Sequence, residues 1–430
     1  MQQIEFSNLG EHFFTTTLDN GLRVNILPKP KFHKTFAIFS TNFGAVDQTF
    51  VPVGQTAFKT YPSGIAHFLE HKMFEKADHD AFDLFGKYGA DANAFTSYTK
   101  TSYLFASVGS VHENLDILLD FVQDPYFSEK SVNKEKGIIA QEINMYADEP
   151  DWRGQMGIIG NLFPEHPVHL DIAGTVASIQ DITAEQLYEN YNTFYTPENM
   201  SLFISGPTDP ETLLNWIEAN QARKQFVSHD LPQRKAIDSQ GNEDILPFRL
   251  AEMPISVAKS FVGIKGPMNS QINATGLKTK IQLQLLLQML FGVSSQNFAN
   301  LYKNGLIDDS FGYESNYERT FNFALLYGDA EKPSQLSDQL LDLLEKGPTS
   351  PDLNQAHLER LKRKRIGSFL LNFNSVEAIA NLYNTYDFGE ATVFDVLNII
   401  HETTIDDIVN LAKVYLDTKN ASVFHVIPKQ

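Results

Sequence analysis

Gly64-Ile65-Ala66-His67-Phe68-Leu69-Glu70-His71-Lys72-Met73-Phe74-Glu75 is the stretch on which the reading of this 430-residue chain turns. Ile65, Phe68, Leu69 and Met73 recur at helical spacing, which predicts a helix with one face against a core. His67 and His71 stand four residues apart, one turn along the same face, where two imidazoles can grip one metal ion. Glu70 borders that face and could hold a metal-bound water without being a ligand. With 12 His and 25 Glu in 430 residues, H-x-x-E-H arises by chance about 0.02 times. A surface helix that carries these residues by accident is the weaker explanation.

Catalytic zinc usually takes three protein ligands, so a third is expected from elsewhere in the chain. The amphipathic segment Ser131–Glu149 carries Glu135 and Glu142, seven residues apart and thus on one helix face. Asp148 and Glu149 are rivals, but Glu149 precedes Pro150, where the chain is pushed out of helical conformation. Glu142 is favoured.

Around this core of motifs the chain alternates strands and helices. Phe13–Leu18 and Leu22–Leu27 alternate in polarity about Asp19-Asn20-Gly21, a hairpin signal. Phe36–Phe43, Ala92–Thr96, Ser102–Ser107 and Met200–Ser205 read as strands. Ala81–Tyr88, Asn114–Val122, Ser131–Tyr146 and Ala184–Phe194 read as helices. Thr183–Ser205 lies ungapped on Thr404–Val426 at an offset of 221, with Asn199/Asn420, Ser201/Ser422 and Phe203/Phe424 identical. Lys34–Ala37 resembles Lys259–Val262 at an offset of 225. Two nearly equal offsets point to an internal duplication. The polar stretch Arg223–Asn242 is the natural linker, which divides the chain into 1–228, a linker at 229–245, and 246–430. At offset 221, His67, Glu70 and His71 fall opposite Gln288, Phe291 and Gly292, so the second half keeps no ligand pair.

Composition narrows the classes. Asp and Glu total 53 against 34 Lys and Arg, a net charge of −19, which argues against nucleic acid or an anionic membrane as partner. The run Lys362-Arg363-Lys364-Arg365 is expected on a solvated helix face. The absence of cysteine excludes disulfides, thiol nucleophiles and cysteine-based metal sites. No basic-then-apolar start and no stretch of 18 to 20 apolar residues suggests a signal or a spanning helix, so a cytoplasmic protein without membrane insertion is expected.

Gly64–Glu75 resembles the active-site helix of the pitrilysin/insulinase family of zinc metallopeptidases, the inverzincins. Lys134–Ile143 resembles that family's second motif, Asp91–Thr96 its edge strand beside the zinc, and His166-Pro167 with Gly174-Thr175 a later loop. The resemblance implies an α+β fold of two homologous domains, each a mixed or antiparallel sheet backed by helices, as in mitochondrial processing peptidase. It implies Zn2+ held by His67, His71 and Glu142, with Glu70 as general base and Glu135 in support. Asn93, Ala94, Phe95 and Thr96 would pair with the substrate. Gly305-Leu306 followed by Phe311-Gly312-Tyr313 resembles a substrate-binding segment in which Tyr313 is the contact, although no Arg occupies Leu301–Gly312 ahead of it. The implied activity is zinc-dependent endopeptidase action on peptides or short unfolded polypeptides. The implied partner is a second two-domain chain, either an identical copy or an inactive relative. The alternative is a non-catalytic, chaperone-like subunit of the same fold.

Overall fold

Asp19-Asn20-Gly21 makes a tight turn, with Gly21 at φ +90, a conformation glycine adopts without steric cost. The computed structural model describes residues 1–6, 9–226, 230–237, 245–267 and 270–429. The turn joins β2 (Glu11–Thr17) to β3 (Arg23–Pro28), and β1 (Gln2–Phe6) pairs outside them. β4 (Thr35–Thr41) is followed by a short ribbon of β5 (Thr49–Phe50) and β6 (Lys59–Thr60), then by β7 (Ala90–Thr96), β8 (Thr101–Ser107) and β9 (Met200–Gly206). The first sheet has the order β1-β2-β3-β9-β4-β8-β7. Only β3 and β9 run parallel; the other pairs are antiparallel.

The second sheet repeats this plan. β10 (Phe248–Met253), β11 (Lys259–Lys265), β12 (Gly312–Glu318), β13 (Phe321–Asp329) and β14 (Ala421–Pro428) take the order β10-β14-β11-β13-β12. Here β10 and β14 are the parallel pair, as β3 and β9 are in the first sheet, and the rest are antiparallel. β9 and β14 correspond at the offset of 221, but the strands beside them do not follow at 225. Phe36 pairs with Ser205 and Lys259 with Val426, so β11 follows β4 by 259 − 36 = 223 residues. A shift of two keeps every side chain on its face, which is why the looser match still looked consistent.

The chain folds into two compact units that are not contiguous in sequence. Unit 1 comprises Met1–Ile143, Asp171–Ala236 and Leu370–Thr385, and unit 2 comprises Asn144–Leu170, Ile237–Phe369 and Tyr386–Gln430. A cut at 229–245 therefore does not separate them, and part of that linker lies outside the described residues. Each half lends a helix to the other's unit. The helix Pro150–Leu162 packs on β11 and β14, and Val376–Thr385 packs on β9 and β4. Tyr383 of the latter stacks on Phe203 at 4.5 Å between ring centroids. In Pro150–Leu162 the turns approach the sheet at Gly154 and Gly157, where a Cβ would lie 2.0 Å from the Phe261 ring and 2.4 Å from the Phe424 ring.

Unit 1's core lies between its sheet and its helices, with Phe68, Leu69, Met73, Tyr103, Phe105, Leu118 and Phe194 all inaccessible to water. Of the basic run, Arg363 and Lys364 face solvent as expected. Lys362 does not: it is buried and donates to the His401 carbonyl at 3.0 Å. Among the described residues, no helix is long and apolar enough to cross a membrane.

Candidate metal centre

The helix Ile65–Phe74 starts where a glycine is required. Gly64 sits at φ +90, and a Cβ there would meet the Ala173 carbonyl oxygen at 2.4 Å. From this fixed start Phe68, Leu69 and Met73 enter the core, and the helical period leaves His67 and His71 on the opposite, half-buried side. The helix Glu129–Ala147 brings Glu135 and Glu142 to the same place. His67 Nε2 lies 3.7 Å from Glu142 Oε1, and His71 Nε2 lies 3.6 Å from Glu142 Oε2. One donor atom from each of the three falls within 4.8 Å of the others. Tetrahedral zinc with ligands at 2.0–2.2 Å would hold its donors roughly 3.3–3.6 Å apart. Each imidazole lies at close to that spacing from one oxygen of Glu142, a different oxygen for each, so a turn of the carboxylate would bring one oxygen to the ion. Two nitrogens and one oxygen then leave a coordination position over.

The two imidazoles are supported differently. His71 Nδ1 lies 3.1 Å from Glu135 Oε1, a carboxylate–imidazole contact of the kind that fixes a ligand's tautomer and turns its Nε2 lone pair outward. His67 Nδ1 is buried with no hydrogen-bond partner. Burial, helped by the neighbouring His71 and opposed by Glu135, holds His67 at about 3, so it is neutral and ready to ligate. His71 moves upward: burial opposes this, but the Glu135 hydrogen bond and the charges of Glu70, Glu135 and Glu142 win. Glu135 is held below the ordinary carboxylate range. Burial works against that shift and is outweighed by His71, Lys72 and Lys134. The surrounding carboxylates favour positive charge at the point where the donors converge.

Glu70 is only 7% exposed. Burial, with the charge of Glu142, raises its affinity for a proton, while Thr96 and His71 pull the other way. Thr96 Oγ1 donates to Glu70 Oε2 at 2.7 Å. Thr96 was expected only as part of a substrate strand, and nothing in the sequence signalled this second contact. Its strand, β7, is the free edge of the first sheet. Asn93 and Phe95 are exposed there, Ala94 and Thr96 half-buried. The edge is partly covered by its own residues, because the Ala94 N–H donates to Asn93 Oδ1 at 2.8 Å.

The other candidates lie elsewhere. Asp148 and Glu149 are exposed, and Glu149 takes an extended conformation at the start of the helix Pro150–Leu162. His166 is buried in unit 2, where its Nδ1 accepts from the Val168 N–H at 2.9 Å. Tyr313 stands half-buried on β12, also in unit 2. The residue that sequence reasoning missed outright is Lys72. It follows Phe68 by four and Leu69 by three, so it falls on the buried stripe, and a cation on that stripe is a sign of a paired charge.

Residues 48–176 match the family model of insulinase (peptidase family M16), and residues 181–365 match that of the peptidase M16 inactive domain. Over 430 residues the chain is 43% identical to the uncharacterized zinc protease YmfH of Bacillus subtilis strain 168, covering 100% of both. This chain belongs to peptidase family M16. An M16-like peptidase from Alicyclobacillus acidocaldarius superposes with a TM-score of 0.92 at 33% identity, across 98% of this chain and 99% of that one. A protease from Helicobacter pylori shares the fold at a TM-score of 0.83 and 18% identity, across 97% and 99%. The α+β architecture of two M16 domains expected from the motifs is borne out. The inactive-domain match falls on the half in which Gln288, Phe291 and Gly292 stand opposite the histidine motif.

Proposed function

We propose that this M16 chain is a zinc endopeptidase acting on peptides or short unfolded polypeptides, with His67, His71 and Glu142 holding Zn2+. The observation that carries this reading is the convergence of those three donors beside a buried Glu70. Zinc bound there supplies Lewis acidity, polarising the scissile carbonyl and making water a better nucleophile. Glu70 is the general base. Thr96 holds one of its oxygens, and the other accepts a proton from the attacking water and passes it to the leaving amine. Its raised proton affinity suits both halves of that transfer.

The free edge at Asn93–Thr96 receives an extended peptide by strand addition, which gives main-chain affinity with little sequence demand. Binding requires Asn93 to release the Ala94 N–H. Glu135 supports His71, and Tyr313 is a substrate contact by family resemblance. We take the active species to contain a second two-domain chain, identical or an inactive relative. The side chains of His71 and Glu142 are each 26% exposed, and a covering partner would exclude water from them and orient a peptide.

The test is digestion of a mixed peptide library with and without chelator, by wild type and Glu70→Gln. Wild type should cleave internally and lose activity in chelator. Glu70→Gln should retain zinc while losing roughly 10²–10⁴-fold or more in rate. Near-native turnover by that variant would overturn the base assignment. A zinc-loaded wild type that cleaves nothing would favour the non-catalytic alternative.

A further inference from the structure

Lys72 has no accessible surface at all. A buried ammonium costs free energy unless it is paired, and an apolar chain of similar length would fill the same space without that cost. Packing therefore does not explain the charge. Its partners do. Lys72 Nζ contacts the Glu75 carboxylate and lies 3.9 Å from Glu135 Oε2. The other oxygen of Glu135 is the one that meets His71 Nδ1, at 3.1 Å. One carboxylate thus stands between an ammonium and an imidazole, with one oxygen turned to each.

We infer that Lys72 is a positioning residue for the metal centre: its ammonium anchors Glu135, so that Glu135 in turn fixes the orientation in which His71 presents Nε2. This rests on the reading of His67, His71 and Glu142 as a zinc site. The two histidines supply an internal contrast. His67 Nδ1 is buried without a partner, so the orientation of the pair depends on the support that reaches His71. Glu75, at 37% side-chain exposure, contacts the ammonium from a more open position than Glu135, so it belongs to Lys72 rather than to the metal.

The test is zinc affinity of the full chain by chelator competition, together with the visible absorption of the Co2+-substituted protein, in Lys72→Met, Lys72→Arg, Glu135→Gln and the double variant Lys72→Met/Glu135→Gln. Lys72→Met should weaken zinc by about 10- to 100-fold, the usual range for a residue behind a metal ligand, and should alter the Co2+ spectrum. Lys72→Arg should recover most of the affinity. The double variant should bind no more weakly than Glu135→Gln alone, because the lysine acts through that carboxylate. That last comparison decides the matter even if Lys72→Met alone does not fold, since the double variant strands only Glu75, which is 37% exposed and open to water, and not the more buried Glu135. Unchanged affinity in Lys72→Met, or a further tenfold loss in the double variant, would overturn the assignment. Failure of the wild type to bind zinc would instead overturn the metal reading, and this one with it.

Discussion

Two sheets in this chain share a five-strand order, which β1 and β2 extend in the first, and the residues along one helix set the halves apart. In the first half that helix carries His67, Glu70 and His71 along its half-buried side. At the sequence offset of 221 the second half has Gln288 and Phe291 in the last turn of the helix Ala274–Phe291 and Gly292 just past its end. Phe291 is fully buried, so the residue that the offset of 221 sets opposite Glu70 belongs to the core. The parallel pair, the antiparallel remainder and the edge strand are kept in both. A shared fold does not by itself decide chemistry, which depends on the side chains placed on it.

The contrast breaks most severely at Glu142. Glu142→Gln should lower zinc affinity by more than 100-fold, beyond what a residue behind the ligands costs. Glu149→Gln, a few residues along the chain but exposed at the next helix start, should leave zinc near stoichiometric. Equal metal content in the two purified variants would contradict the ligand choice.

A histidine of unit 2 sharpens the contrast from the other side, because His166 is a structural histidine. Burial, with the charges of Lys265, His169 and Arg319 and against a backbone contact with Thr320, lowers it to about 4. Its folded-state value lies below its unfolded one, so the stability it contributes is complete above about pH 6.5 and is lost as the pH falls toward 4. Urea midpoints of metal-free wild type should therefore fall more steeply with acidification than those of His166→Asn. The difference should grow to at most about 3 kcal/mol across that window. Parallel pH dependences would show that His166 is not held neutral.

The smallest effect concerns the edge strand of unit 1. Thr96→Val removes the hydroxyl that holds Glu70 and should lower kcat about tenfold with zinc affinity unchanged, the cost of one hydrogen bond to a charged group. Thr96→Ser should restore it. A loss confined to KM would instead place Thr96 in peptide binding alone.

How much of this was legible depended on the kind of signal. The histidine helix was plain because its apolar spacing and its metal spacing coincide. The first hairpin was plain because Asp19-Asn20-Gly21 requires a turn. β1 was not, since Gln2–Phe6 offers a polar edge strand with little alternation. The helix Pro150–Leu162 was hidden by Pro150 and by Gly154, Gly157 and Gly160, which lower helix propensity. Gly154 and Gly157 allow it to lie close on β11 and β14. Its place in unit 2, and that of Val376–Thr385 in unit 1, are tertiary facts that local pattern does not carry. At the site, spacing alone brought Glu142 forward. The hydrogen bond from Thr96 to Glu70 and the burial of Lys72 beside Glu135 join residues distant in sequence, which no local period records.

The central claim is that a duplicated M16 fold carries one metal centre, in its first half. Anomalous diffraction at the zinc edge, from crystals of the full chain grown with Zn2+, tests it most directly. The account predicts one strong peak per chain, within about 2.0–2.2 Å of His67 Nε2, His71 Nε2 and a Glu142 carboxylate oxygen. A map with no peak there, or with its principal peak among residues of unit 2, would contradict it.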